Sequence, residues 1–131
     1  TYHKLEGDKM ICFLENTFQI KLDKNDKGDY PIIVTDEGIF SEMGLKDKPS
    51  TYVKFIINEY DELTIDWYIE NENRFSVKSL QVHQMILIND PDENSIQFVL
   101  ERWQSRMFKI QWKPKLHIEF GLYYEVCDDC D

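Results

Sequence analysis

Between residues 63 and 70 the chain alternates without a break. Leu63, Ile65, Trp67 and Ile69 fall on one phase, and Thr64, Asp66, Tyr68 and Glu70 fall on the other. Successive side chains of an extended strand point to opposite faces, so a period of two predicts a strand with one apolar and one wet face. Such a strand needs partner strands on its edges and a core on one side. Asn71-Glu72-Asn73 then turns the chain into a returning arm from Arg74 to Lys78, in which Phe75 and Val77 keep the apolar phase. Leu80 to Ile88 carries apolar residues on both phases, the pattern of a strand covered on both faces.

The flanking segments extend this expectation. Met10 to Leu14 and Phe18 to Leu22, joined by Glu15-Asn16-Thr17, read as a hairpin. Asp23 to Asp29 is a charged turn with Gly28 in it, and Tyr30 to Val34 is a short strand that Pro31 assigns to a sheet edge. Thr35 to Ser50, with Gly38, Gly44 and Pro49, reads as a connecting loop. Asp90-Pro91-Asp92-Glu93 has the residues of a helix start, and Ile96, Val99, Leu100 and Trp103 follow at helical spacing. One main α-helix is therefore expected at about residues 91–106. Phe108, Ile110 and Trp112, then Leu116, Ile118 and Phe120, alternate on either side of Lys113-Pro114-Lys115. With 42% hydrophobic and 14% aromatic residues, the 131-residue chain has the material for a core. The expected fold is α+β: a mostly antiparallel sheet, curved or partly closed into a barrel, with that one helix, residues 1–131 forming a single globular domain.

Charge and cysteines limit the function classes. A net charge of −10 argues against direct nucleic-acid binding, which draws its affinity from Lys and Arg on phosphate, and leaves basic partners open. Apolar runs such as Met85 to Ile88 are far too short to span a membrane. Thr1 to Glu6 lacks the pattern of a secretory leader, and three cysteines do not form an even disulfide framework, so a reducing cytoplasm is expected. Cys127 and Cys130 have CxxC spacing but no second ligand pair, so neither a metal nor another cofactor is expected. The oligomeric state is left open.

The most distinctive charge pattern flanks the alternating strand. Glu59, Asp61, Glu62, Asp66, Glu70 and Glu72 occur with no Lys or Arg among them, and Asp66, Tyr68 and Glu70 share one phase. Carboxylates around a tyrosine can receive Lys and Arg side chains through charge-assisted hydrogen bonds, while the ring adds contact area. These seven residues are the expected partner-binding site. The expected function is that of a small acidic protein that blocks a basic partner, most concretely an immunity-type inhibitor of a nuclease toxin. Two alternatives stand beside it. One is a small enzyme using His117 and Glu119 with Lys109 or Lys113 for acid–base chemistry. The other is a small-ligand-binding barrel, lined from the eight Phe, seven Tyr and three Trp.

Overall fold

The computed structural model of the chain describes residues 7–100 and 106–122. Helix α1 (Gly7–Phe18) precedes strands β1 (Tyr30–Thr35), β2 (Gly38–Ser41), β3 (Tyr52–Ile57), β4 (Glu62–Ile69), β5 (Glu72–Asn89), β6 (Asn94–Leu100), β7 (Arg106–Lys113) and β8 (His117–Leu122). A single 3-10 turn, Glu42–Gly44, lies between β2 and β3. The strands form one sheet in the order β2-β1-β3-β4-β5-β6-β7-β8, each pair antiparallel.

The alternating segment is β4, with Leu63 and Ile65 fully buried and Asp66 and Tyr68 partly exposed. Its partner β5 is one strand of eighteen residues, where the sequence suggests two. At about 3.3 Å per residue a straight strand of this length would reach about 60 Å, more than the breadth of a domain this size. The strand bends instead. Between the pairs Leu63–Leu80 and Ile65–Val77 one residue of β4 stands against two of β5. Ser79, at this bulge, has φ 58° and donates its N–H to Thr64 Oγ1 at 3.3 Å. A bulge adds local twist and re-aims the strand. Residues 72–81 of β5 pair with β4, residues 82–89 pair with β6, and the two half-sheets turn their apolar faces toward each other. Phe55 of β3 meets Phe98 of β6 edge to face at 5.4 Å, both side chains fully buried. Ile32, Val53, Ile65, Ile96, Phe108 and Ile110 complete a core shared by both halves.

Two segments differ from the sequence expectation in element type. Residues 94–100 are strand β6, so the helix expected at about 91–106 is not formed there; residues 101–105, with Trp103, lie outside the described residues. The reason is Phe98. A stripe of Ile96, Val99 and Leu100 would leave Phe98 on the wet side of a helix, whereas an extended chain delivers it to Phe55, and Ile, Phe and Val all favour strands. The apparent helix cap is a hairpin turn, closed by the Asp90 N–H donating to the Glu93 carbonyl at 2.8 Å, with Pro91 in the tight bend. The converse holds at the other end. Residues 10–22 are expected as a hairpin, but Gly7–Phe18 is helical because Met10, Ile11, Leu14 and Phe18 make one apolar face at helical spacing. Gln19, at φ 56°, ends the helix in the left-handed conformation while Ile20 N–H returns to the Glu15 carbonyl at 3.1 Å, a Schellman closure. In addition, residues 38–41, expected as loop, form β2. That strand places β1 inside the sheet, and Pro31 is accommodated because β2 reaches only as far as Ile32.

The sheet curls without closing: among the described residues β2 and β8 are not paired. Between its two ends, Leu116 N–H donates to Asp36 Oδ1 at 3.2 Å. α1 covers one end of the curl. Phe18 packs on Trp112 at 4.9 Å, and Asn89 Nδ2 donates to the Thr17 carbonyl at 2.8 Å. Between β2 and the end of β7 a cleft of about 280 Å³ remains.

The shared core gives a direct test. Phe98→Ala and Phe55→Ala should each lower the unfolding free energy by about 3–5 kcal/mol in urea, and the double variant should lose less than the sum by about 0.5–3 kcal/mol. Additive losses would mean that the two half-sheets do not share one core.

Candidate functional site

The outward side of the first half-sheet is built from alternate residues of three neighbouring strands. Register sets Lys54 beside Asp66 and Asp66 beside Ser76, and one step along sets Tyr52 beside Tyr68. The rings of Tyr52 and Tyr68 stack at 4.8 Å, 13° from parallel. Asp66 Oδ1 accepts from Ser76 Oγ at 2.5 Å and from Asn73 Nδ2 at 3.4 Å. Neutral donors thus orient the carboxylate without neutralising it.

Two of the cations beside this face, Lys48 and Lys54, are taken up by one carboxylate, while Arg74 and Lys78 of β5 stand exposed on either side of Ser76. Glu42 Oε2, in the 3-10 turn, lies 2.7 Å from Lys48 Nζ and 3.1 Å from Lys54 Nζ. Burial alone would push the Glu42 carboxyl up, but the hydrogen bonds and charges of Lys48 and Lys54 outweigh it and hold the group below its ordinary value. The same hydrogen bond raises Lys48, whose Nζ stands 5.8 Å from the Tyr52 ring centre. Burial raises the Tyr52 phenol, which therefore stays a neutral donor at pH 7. The result is a stacked tyrosine pair with a bound cation pair on one side and an oriented carboxylate on the other.

The sequence-predicted residues divide into three groups along β4. Asp66 and Tyr68 occupy the middle. Glu62 marks the start of the strand, where its Oε1 accepts from Asn58 Nδ2 at 2.8 Å, and Glu59 is exposed in the adjoining turn. Asp61 in that turn has φ 62° and is only 5% exposed, its carbonyl accepting from Val82 N–H at 2.9 Å, so it is packed beneath the turn and not on the surface. At the far end Glu70 does not continue the Asp66–Tyr68 row. With Asn71 it forms the two-residue connection between β4 and β5 at φ 52° and 67°, a turn of mirror-image type that matches strand twist. Glu70 is exposed there, and Glu72 beside it is 3.1 Å from Arg74. The eight residues of β4 hold the two ends apart by roughly 25 Å.

Tyr52, Lys48, Lys54 and Glu42 belong to this surface but were not singled out from sequence. The signal for β3 was present, since Tyr52, Lys54 and Ile56 share a phase opposite Val53, Phe55 and Ile57. The 3-10 turn and its lysines arrive through tertiary folding alone.

The alternative site on β8 is arranged differently. His117 and Glu119 are exposed, opposite Gln111 and Lys109 of β7 respectively. Lys109 Nζ is taken up by Glu93 Oε2 at 3.1 Å, on the far side from Glu119. Lys113 is exposed at the end of β7, at the β7–β8 turn. Cys127 and Cys130 lie outside the described residues, and among the described residues no three His, Cys, Asp or Glu side chains gather as a metal would require. Nor is any described helix long and apolar enough to cross a membrane.

Glu42 and Glu93 give the fold a defined acid response. Glu93 is held below its ordinary value chiefly by the Ser95 hydroxyl at 2.7 Å, with Lys109 assisting against burial. For both carboxyls the folded state binds protons less readily than the unfolded chain, whose groups titrate near 4.5. Their contribution to stability is therefore complete above that pH and is lost as pH falls through the folded values. Replacing both with Gln should flatten the fall in unfolding free energy measured by urea denaturation between about pH 6 and pH 3. An unchanged slope would show that these contacts are not formed in solution.

No curated protein and no solved structure matches this chain. A family model does match, over residues 16–129, a span that takes in all eight strands of the sheet. The chain belongs to the DUF3979 family, whose description is that of a protein of unknown function.

Proposed function

We propose that this protein acts by binding, and that its outward β3–β4–β5 face docks on a basic protein and blocks it, as an immunity protein blocks a nuclease toxin. The observation that carries this reading is the stacked Tyr52–Tyr68 pair beside the oriented Asp66 carboxylate. Stacking fixes both rings before a partner arrives, so little side-chain freedom remains to be lost on binding. Asp66 is held by neutral donors and can accept a Lys or Arg without first releasing another cation. Exposed Glu59 at one end of β4 and Glu70 at the other extend the negative surface, while Glu72 is paired with Arg74. A standard interface covers about 800 Å² per partner, roughly 30 Å across, which is wide enough to include both ends. A nuclease must present cations to phosphate, and a surface of this kind on a chain of net charge −10 would be drawn to them over long range.

The test is genetic and kinetic. A basic protein encoded beside this chain's gene should be toxic when expressed alone and harmless when co-expressed with it. Asp66→Lys with Glu70→Lys should slow association with that protein by about tenfold or more at low salt, with thermal unfolding unchanged. A harmless neighbour, or full protection and unchanged association by the double reversal, would overturn the reading.

A further inference from the structure

The last strand of the sheet has one edge to spare. Among the described residues β8 pairs with β7 alone. Leu116, just before it, donates its N–H to Asp36 and so points that group away from β7. Backbone groups of a strand alternate between its two edges. Those of Ile118, Phe120 and Leu122 therefore point to the open edge, while those of His117, Glu119 and Gly121 face β7. Phe120 stands 57% exposed on this strand, although its ring meets that of Phe108 at 4.7 Å. The charged residues His117 and Glu119 project to the opposite face and leave the ring unguarded. Sheets ordinarily cover, shorten or charge such an edge, because unpaired backbone groups beside an apolar ring are a template for another strand.

We infer that β8 pairs antiparallel with β8 of a second copy of this chain, about a twofold axis through Phe120. The occupant and the register follow from what each axis would set opposite what. An axis through Ile118 sets Phe120 opposite Leu116, whose N–H is already bonded to Asp36. An axis through Glu119 sets two carboxylates directly opposite each other, which is destabilising. An axis through Phe120 sets ring against ring and Glu119 against Gly121, where there is neither charge nor side chain to oppose it. It also gives every outward N–H and C=O of Ile118, Phe120 and Leu122 a partner, and axes nearer either end of β8 pair fewer of its residues. The other edge strand, β2, has only four residues and offers a shorter ladder. A strand of six residues is about 20 Å long, and one such pair covers less than the about 800 Å² per partner of a standard interface. The dimer is therefore weak and in exchange with the monomer.

Sedimentation of the full chain between about 10 μM and 1 mM should show a monomer–dimer equilibrium. In the same range, amide exchange at Ile118, Phe120 and Leu122 should slow as the concentration rises, while that at His117 and Glu119, which face β7, should change little. Phe120→Lys replaces the ring pair on the axis with two like charges and should weaken association about tenfold, with thermal unfolding at the dilute end unchanged. The exchange measurement on the wild-type chain decides alone if that variant fails to fold. A monomer at every concentration, species that grow beyond the dimer, or exchange at Ile118 and Phe120 that does not depend on concentration would rule the pairing out.

Discussion

An eighteen-residue strand shared between two half-sheets must turn on itself before either half can bury its apolar face, and in this protein the turn is made between two irregularities, at Ser79 against β4 and at His83 against β6. The bulge at Ser79 costs some ladder hydrogen bonding and places a non-glycine residue at positive φ. What offsets it is the face-to-face closure that follows. Phe55 and Phe98 come from strands far apart in the sheet order, and they meet only because β5 bends. Both surfaces discussed above depend on this bend. It leaves the outward side of β3, β4 and β5 facing solvent, and it carries β7, with β8 on its far side, round until Trp112 comes near β2.

The same closure explains why the curl stays open. β2 has four residues and β8 has six, and no ladder joins them among the described residues. The hydrogen bond from Leu116 to Asp36 ties the β1–β2 and β7–β8 turns together and leaves the cleft beside it. An open seam exposes strand edges, which proteins commonly blunt with short strands and charged residues. Here β2 is short, whereas β8 leaves Phe120 in the open on the face away from His117 and Glu119.

How far the sequence reveals this arrangement depends on whether the period of a segment survives burial on both sides. β4, with one wet and one dry face, is legible directly from Leu63 to Ile69, and so are the hairpin it makes with β5 and the pair β7–β8. β6 is not, because Ser95 and Val99 are buried on one face while Ile96 and Phe98 are buried on the other. Burial on both faces erases the period of two and leaves Ile96, Val99 and Leu100 at a spacing that imitates a helix. At the N-terminal end the four residues Met10, Ile11, Leu14 and Phe18 carry helical spacing within two apolar runs that equally suit a hairpin, and only docking on the sheet decides between them. The candidate surface is divided in the same way. Asp66 and Tyr68 are visible as neighbours on one strand, but the stack with Tyr52 and the removal of Lys48 and Lys54 by Glu42 are cross-strand facts with no local signature.

The division of labour on β3 separates the outer surface from the core in a way that experiment can use. Tyr52 points outward to Tyr68 while Phe55, three residues on and of the opposite phase, points inward to Phe98. A change at Tyr68 or Asp66 removes partly exposed groups whose hydrogen bonds and ring contacts lie on the outer face, so its cost to folding is small beside that of a core aromatic. Neither tyrosine of the pair is among the residues that line the cleft. The effect of substitution on the proposed docking face is therefore separable from loss of the fold. A variant that impaired partner docking and β8 pairing at once would point back to the bend in β5, the one element from which the two surfaces take their positions.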